Sequence, residues 1–242
     1  MRKLDRKIYI KELTTDKQEY KVKGREKKHL DVLRVKSGDI IWATDGKGND
    51  FKLRIEKNTS DYTYITIKKH ERRPPYPIKI NLFFGFTKRK KWEWLIEKGT
   101  ELGVASFTPV ITKRNEQYSK GLYKKKKQER FKKKLISAMK QSRRSYLPQI
   151  NPPIKIDKLV KNKVFNNLFI LSFDGKRWND SDLKDTKIID LLVGPEGGFT
   201  ENEKRMLSEI DSKLRNFGNY TLKTETACLK AISLISYFKG DF

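Results

Sequence analysis

Between Ile8 and Thr66 the apolar residues come in short alternating bursts, DIIWATD, FKLRIEK and YTYITIKK, separated by the turn-forming stretches GDI, DGKGND and KNTSD. A period of two is what a strand with one buried face requires, so this span predicts a small β-rich unit. HERRPPYPIKI follows, and its prolines can neither donate to a ladder nor let the preceding residues turn helical. The sequence therefore breaks near residue 74, giving a first domain over 1–73 and a second over 74–242. Beyond the break the period alternates. Strand-like IKINLFFGF, SFTPVIT, NLFILSF and KIIDLLVG are interleaved with helix-like WEWLIEKGTELG, a basic stretch over 124–141, ENEKRMLSEID and TETACLKAISLISYF, with a short apolar run at 213–217. Strands alternating with helices predict an α/β domain whose parallel sheet is covered on both faces.

One junction stands out in that pattern. In DLLVGPEGGFTENEK, residues 190–204, a continuous apolar strand stops at Gly194-Pro195-Glu196-Gly197-Gly198. Ligands of open α/β sheets sit beyond the carboxyl ends of the strands, and glycine there lets backbone approach a ligand with no Cβ in the way. Thr200 followed by Glu203 forms a capping box, so the loop feeds a helix N-terminus whose N–H groups face the same crevice. Neither a Walker phosphate loop nor a dinucleotide fingerprint is present. Taken alone, the glycines fit a ligand cradle or merely a tight strand-to-helix turn.

Charge narrows the partner. Lysine and arginine number 56 against 30 acids, a formal balance of +26 that suits a protein meeting phosphate backbones. A compositional lysine bias is the alternative. The basic residues do not line one face of an amphipathic helix, which favours nucleic acid over a membrane surface, and no apolar run is long enough to span a bilayer. A single cysteine, Cys228, and two scattered histidines offer neither a disulfide nor a metal-ligand cluster. MRKLDRKIYIKEL lacks the apolar core of a secretory leader, so the reading is a cytoplasmic, metal-free protein. The run YKKKKQERFKKK, 123–134, reads as a solvated helix face. Trp92 and Trp94, with Leu95, Ile96, Gly99 and Leu102, form an apolar stripe for core or dimer packing, and Cys228 reads as core filling.

Five segments together carry a resemblance. LLVGPEGGFTENEK is joined by FGNYTLKTETACLKAI (217–232), KKWEWLIEKGTELGVASFTPVITKR (90–114), QSRRSYLPQINPP (141–153) and HLDVLRVKSGD (29–39). In this order they resemble the signature stretches of the RsmE family, ribosomal RNA uridine-N3 methyltransferases of the SPOUT superfamily, and the likeness spans nearly the whole chain. The resemblance implies a PUA-like β-barrel over 1–73, binding RNA, and a SPOUT α/β domain over 74–242 with a trefoil knot around its parallel sheet. It also implies S-adenosyl-L-methionine as cofactor, 16S ribosomal RNA in the small subunit as partner, and a homodimer.

Mapped onto this chain, the cofactor loops of that family fall on Leu171, Ser172 and Phe173, on Gly194, Pro195, Glu196, Gly197 and Gly198, and on Phe217, Gly218, Leu222, Thr224 and Thr226. Glu196 either pairs with the cofactor or caps the helix. Lys223 stands where the family usually has arginine and is the candidate stabiliser of a uridine anion, with Glu225 a second candidate, as proton acceptor. Arg6, Arg34, Lys88, Arg89, Arg114, Arg143 and Arg144 lie in or beside the matching segments and are candidate RNA contacts, Arg143 and Arg144 being equally readable as cations at a helix end. The chain departs from the family pattern at Asn219-Tyr220, where Pro-Arg is common, and at Arg143, where glycine is usual. Two rivals remain: a SPOUT methyltransferase acting on another RNA, and a non-enzymatic ribosome-assembly factor.

Overall fold

The computed structural model describes residues 7–85, 88–118, 125–162 and 165–240. By its contacts the chain forms two units, one of residues up to Pro75 with Ile136–Leu147, the other of Tyr76–Leu135 with the chain from Pro148 onward. Among the described residues no helix is long and apolar enough to cross a membrane.

The first unit holds β1 (Lys7–Tyr9), β2 (Glu19–Val22), α1 (Gly24–Val32), β3 (Ile40–Thr44), β4 (Asn49–Asn58) and β5 (Thr63–Arg72). The strands make one sheet in the order β1-β3-β4-β5-β2, antiparallel except for the β1–β3 pair. Pairing of Ile41 with Leu53 and of Ile55 with Ile65 brings the alternate apolar residues into one core, closed by Leu30 of α1. The predicted β pattern is therefore met. The helix α1 is an addition: its sequence GREKKHLDV is strongly polar and buries only Lys27 and Leu30, too few apolar positions to show a helical period.

This unit also buries charge. The ammonium of Lys7 lies 2.7 Å from Asp50 and donates to the Arg143 carbonyl at 3.0 Å and to Ser145 Oγ at 2.9 Å, while Arg73 Nε donates to Asp50 at 2.8 Å. Burial pushes the Lys7 amine below its ordinary value, against the pull of Asp50.

The second unit contains β6 (Lys79–Gly85), α2 (Arg89–Glu101), β7 (Val104–Ile111), α3 (Lys125–Gln141, whose last turns from Ile136 count with the first unit), β8 (Gln149–Ile150), β9 (Ile154–Lys155), α4 (Ile156–Asn162), β10 (Leu168–Arg177), β11 (Ile188–Val193), α5 (Glu201–Ser208), β12 (Ser212–Asn216) and α6 (Thr224–Phe238). Its sheet is parallel throughout, in the order β12-β10-β11-β6-β7-β8, with β9 also on β7. β11 is buried along almost its whole length, which explains its unbroken apolar run. One cluster joins Leu168, Ile170, Leu192, Phe199 and Leu207. In another contact Trp92 packs on Phe131, ring centroids 4.0 Å apart, and on Phe84 at 6.0 Å. Of the two tryptophans expected in core or dimer packing, Trp92 is in the core and Trp94 points outward, because residues two apart on a helix are about 200° apart. Cys228 is fully buried beside Ala231, Ile232 and Ile235, and burial pushes its thiol far up.

After the edge strand β12 the chain passes back beyond β10 to set α6 against β11, β6 and α2. The fold is the α/β class with a β-rich N-terminal unit that the sequence led us to expect.

Candidate functional site

The apolar strand β11 delivers Gly194 to the end of the sheet, where three backbone constraints fix the loop. Gly198 takes a left-handed φ of 68° and donates its N–H to the Pro195 carbonyl at 2.7 Å, closing a turn around Glu196 and Gly197. Gly85, at the end of β6, passes so close that a Cβ there would lie 2.3 Å from Pro195 N and 2.7 Å from Gly194 C. The Gly194 carbonyl accepts from Thr224 Oγ1 at 3.0 Å, tying the loop to the first residue of α6. On the other side Thr200 and Glu203 form the expected capping box at the start of α5, and Glu203 also accepts the Lys113 N–H at 2.8 Å. The cap is therefore made by Thr200 and Glu203, and Glu196 is left for another partner.

Beyond the ends of β11 and β12, and beside the irregular stretch of β10 that follows Leu171, this loop walls a cavity of about 380 Å³, within the range of roughly 300–1,000 Å³ usual for small-molecule pockets. Leu171, Ser172, Phe173, all of Gly194–Gly198, Phe217, Gly218, Leu222 and Thr224 line it, so segments distant in sequence meet at one place. Thr226 does not; it is exposed on the first turn of α6. Arg114, assigned above to RNA, also lines the cavity, and the space a Gly197 Cβ would take is already limited by Arg114 Cδ, at 3.0 Å. The side chains of Val193, Leu171, Leu222 and Ala227 are the more buried part of the lining, whereas Asp174, Glu196 and Glu201 are carboxylates on its exposed part. Arg114, Lys204 and Arg215 share that open part, where Glu201 is paired with Lys204 at 2.8 Å and Glu196 with Lys91. An apolar inner wall thus meets a rim of mixed charge, which fits a ligand with an apolar face and a charged tail.

Several wall residues carried no signal in the sequence. Trp178 stacks on Phe169 at 4.4 Å and on Phe217 at 5.1 Å, so the Phe217 ring is held from behind. Asn216 Nδ2 donates to the Phe173 carbonyl at 2.9 Å and its Oδ1 accepts the Gly218 N–H at 2.7 Å, fastening the third loop to the middle of β10. Arg215 forms a two-pronged pair with Asp182, Nε to Oδ2 at 2.7 Å, and this holds the Asp182 carboxyl below its ordinary range. The sign follows directly. A depressed folded-state pKa adds stability that is present above the unfolded value of about 3.9 and is lost as pH falls through the lower folded value. Asp182→Asn should therefore flatten the acid limb of stability against pH, measured by urea unfolding, and leave its slope above about pH 5 unchanged.

At the other edge of the loop lies a charged cluster. Lys91 of α2 pairs with Glu196 and stands 3.6 Å from Glu225. The Glu196 carboxyl is held below its ordinary value first by the Lys91 hydrogen bond, with Lys223 and Lys88 adding positive potential. Lys223 is exposed at the N-cap of α6, and Glu225 is nearly buried, its Oε2 without a hydrogen-bond partner among the described residues. Neither lines the cavity itself. Lys88 caps α2 and is exposed; the side chain of Arg89 and the whole of Arg6 lie outside the described residues. Arg34, Arg143 and Arg144 belong to the first unit, where Arg34 and Arg143 adopt left-handed φ of 50° and 58°. Glycine is the residue such backbone favours, and arginine at 143 occupies it with its carbonyl held by Lys7.

Residues 74–236 match the family model described as an RNA methyltransferase domain, and residues 22–68 match that of an RNA methyltransferase PUA domain. The ribosomal RNA small subunit methyltransferase E of Aquifex aeolicus is 31% identical over 88% of this chain and 92% of its own. That of Bacillus subtilis is 30% identical over 96% and 98%. The crystal structure of the Neisseria gonorrhoeae protein of that name, bound to S-adenosyl methionine, superposes with a TM-score of 0.84 at 26% identity, covering 96% of this chain and 97% of that one. With more than half its length matched by the methyltransferase model and relatives aligned almost end to end, this chain belongs to the ribosomal RNA small subunit methyltransferase E family.

Proposed function

We propose that the protein transfers a methyl group from S-adenosyl-L-methionine to N3 of a uridine in the 16S ribosomal RNA of the small subunit, working in the cytoplasm as a homodimer. The observation that carries this reading is the convergence of three segments, 171–173 at the irregular stretch of β10, 194–198 after β11 and 217–224 after β12, on one cavity. When bound, S-adenosylmethionine supplies an electrophilic methyl group. The apolar atoms of Leu171, Val193 and Leu222 suit the face of its base, and the mixed-charge rim, with Asp174 and Glu196 beside Arg114 and Lys204, suits its amino-acid end, which carries both charges.

The protein's own work is positioning and charge. Uridine N3 carries a proton, so the nitrogen attacks well only once that proton has left, and the enzyme must favour the resulting anion. Lys223, on the last residue before α6 and beside the cofactor loop, is the cation for that task. Glu225 faces Lys91, an arrangement that suits orientation of the helix end better than proton abstraction. Arg34, Arg114, Arg143 and Arg144 are exposed or partly exposed cations, which suits them to contact phosphates. Partial exposure of Leu229, Leu234 and Phe238 on α6 supports pairing of two copies.

The test is direct. Calorimetric titration with S-adenosylmethionine should give one site per chain, and purified enzyme with 16S RNA or small subunits should add 14 Da to a uridine, located by mass mapping as N3-methyluridine. Binding without transfer to any RNA would leave a scaffold, and transfer only to transfer RNA would overturn the substrate.

A further inference from the structure

Three distant parts of the chain meet at Lys91: α2, which carries it; the cofactor loop, through Glu196; and the first turn of α6, through Glu225. The two carboxylates differ in kind. Glu196 is more than half exposed and could be solvated without the lysine. Glu225 has only 9% of its surface exposed, Lys91 stands 3.6 Å from its Oε1, and among the described residues the second oxygen has no hydrogen-bond partner. A carboxylate so nearly buried needs its counter-charge, since removing one member of such a pair leaves the other uncompensated. Glu225 lies two residues after Lys223 and next to Thr224, whose hydroxyl is bonded to the Gly194 carbonyl.

We infer that Lys91 is a positioning residue for methyl transfer: by bridging Glu225 and Glu196 it fixes the start of α6 against the cofactor loop, and so fixes Lys223 relative to the bound cofactor. This rests on the function proposed above. Lys91 does not itself line the cavity, so its effect runs through the orientation of its neighbours and falls on turnover more than on binding.

The experiment compares wild type, Lys91→Met, Lys91→Arg, Glu225→Gln and the Lys91→Met/Glu225→Gln double variant, with kcat and KM for RNA, calorimetric S-adenosylmethionine affinity and thermal unfolding for each. Lys91→Met should lower kcat by about 10²-fold, the loss expected from a misplacement near 1 Å. Cofactor affinity should move by less than about threefold, Lys91→Arg should recover most of the rate, and the double variant should be no worse than the worse single. Should Lys91→Met fail to fold, Glu225→Gln carries the same expectation from the other half of the bridge. The inference is overturned if kcat is unchanged in the folded variants, if the loss is matched by an equal loss of cofactor affinity, or if arginine rescues nothing. Failure of the wild-type enzyme to methylate RNA is a separate result and strikes the proposed function instead.

Discussion

Lys223→Ala is expected to lower kcat by about 10²- to 10³-fold, the cost of removing one preorganised charge-stabilising group, with S-adenosylmethionine affinity kept within about threefold. The asymmetry follows from where the residue stands. It is exposed at the N-cap, makes no side-chain cap bond and lies outside the cavity lining, so the pocket keeps its walls when the side chain is cut back. What is lost, on the function proposed above, is a positive charge meant to offset the negative charge that develops on the uridine. Lys223→Arg should retain much of the rate, and single-turnover methyl transfer with calorimetry on the same samples reads both quantities. Equal loss of turnover and cofactor binding would remove Lys223 from the chemistry and make it part of the pocket.

Gly85→Ala should damage the other half of the site. The added methyl would sit 2.3 Å from Pro195 N, 2.6 Å from Pro195 Cα and 2.7 Å from Gly194 C, all backbone atoms that no rotamer change can move aside. Either β6 or the loop must shift, at about 1–3 kcal/mol of stability. A shift of the loop near 1 Å should reduce kcat/KM by about 10²-fold, and here, unlike the lysine variant, cofactor affinity falls too. Thermal unfolding and calorimetry check the two parts, and a variant with wild-type unfolding and wild-type cofactor affinity would show that the close approach is dispensable.

These two residues mark how far the sequence reaches. Lys223 is legible because the TETA stretch around it resembles a family signature. Gly85 is not, since nothing in NLFFGF says that a loop over a hundred residues later presses on it. The same division runs through the fold. Strands with a clean period of two or an unbroken apolar run, such as β4 and β11, and helices such as α6 with many apolar residues, are readable from spacing. Helix α1 and the short β8, β9 and α4 are not, because their few buried positions are fixed by tertiary neighbours. Within the site, the glycine loop and its capping box could be seen in advance, whereas Trp178, Asn216 and Asp182 act only through partners brought near by folding. Lys91 is the extreme case: in the run KRKKWEW it is indistinguishable from its neighbours until the carboxylates of Glu196 and Glu225 select it.

The N-terminal sheet is not a detachable module. Its buried ammonium group at Lys7 relies on the Arg143 carbonyl and the Ser145 hydroxyl, both supplied from a stretch of chain some 140 residues downstream. A fragment ending at the proline linker would expose the Lys7–Asp50 pair to water and lose those acceptors, so recombining this PUA-like half with a different enzyme would have to carry the distant dodecapeptide along with it.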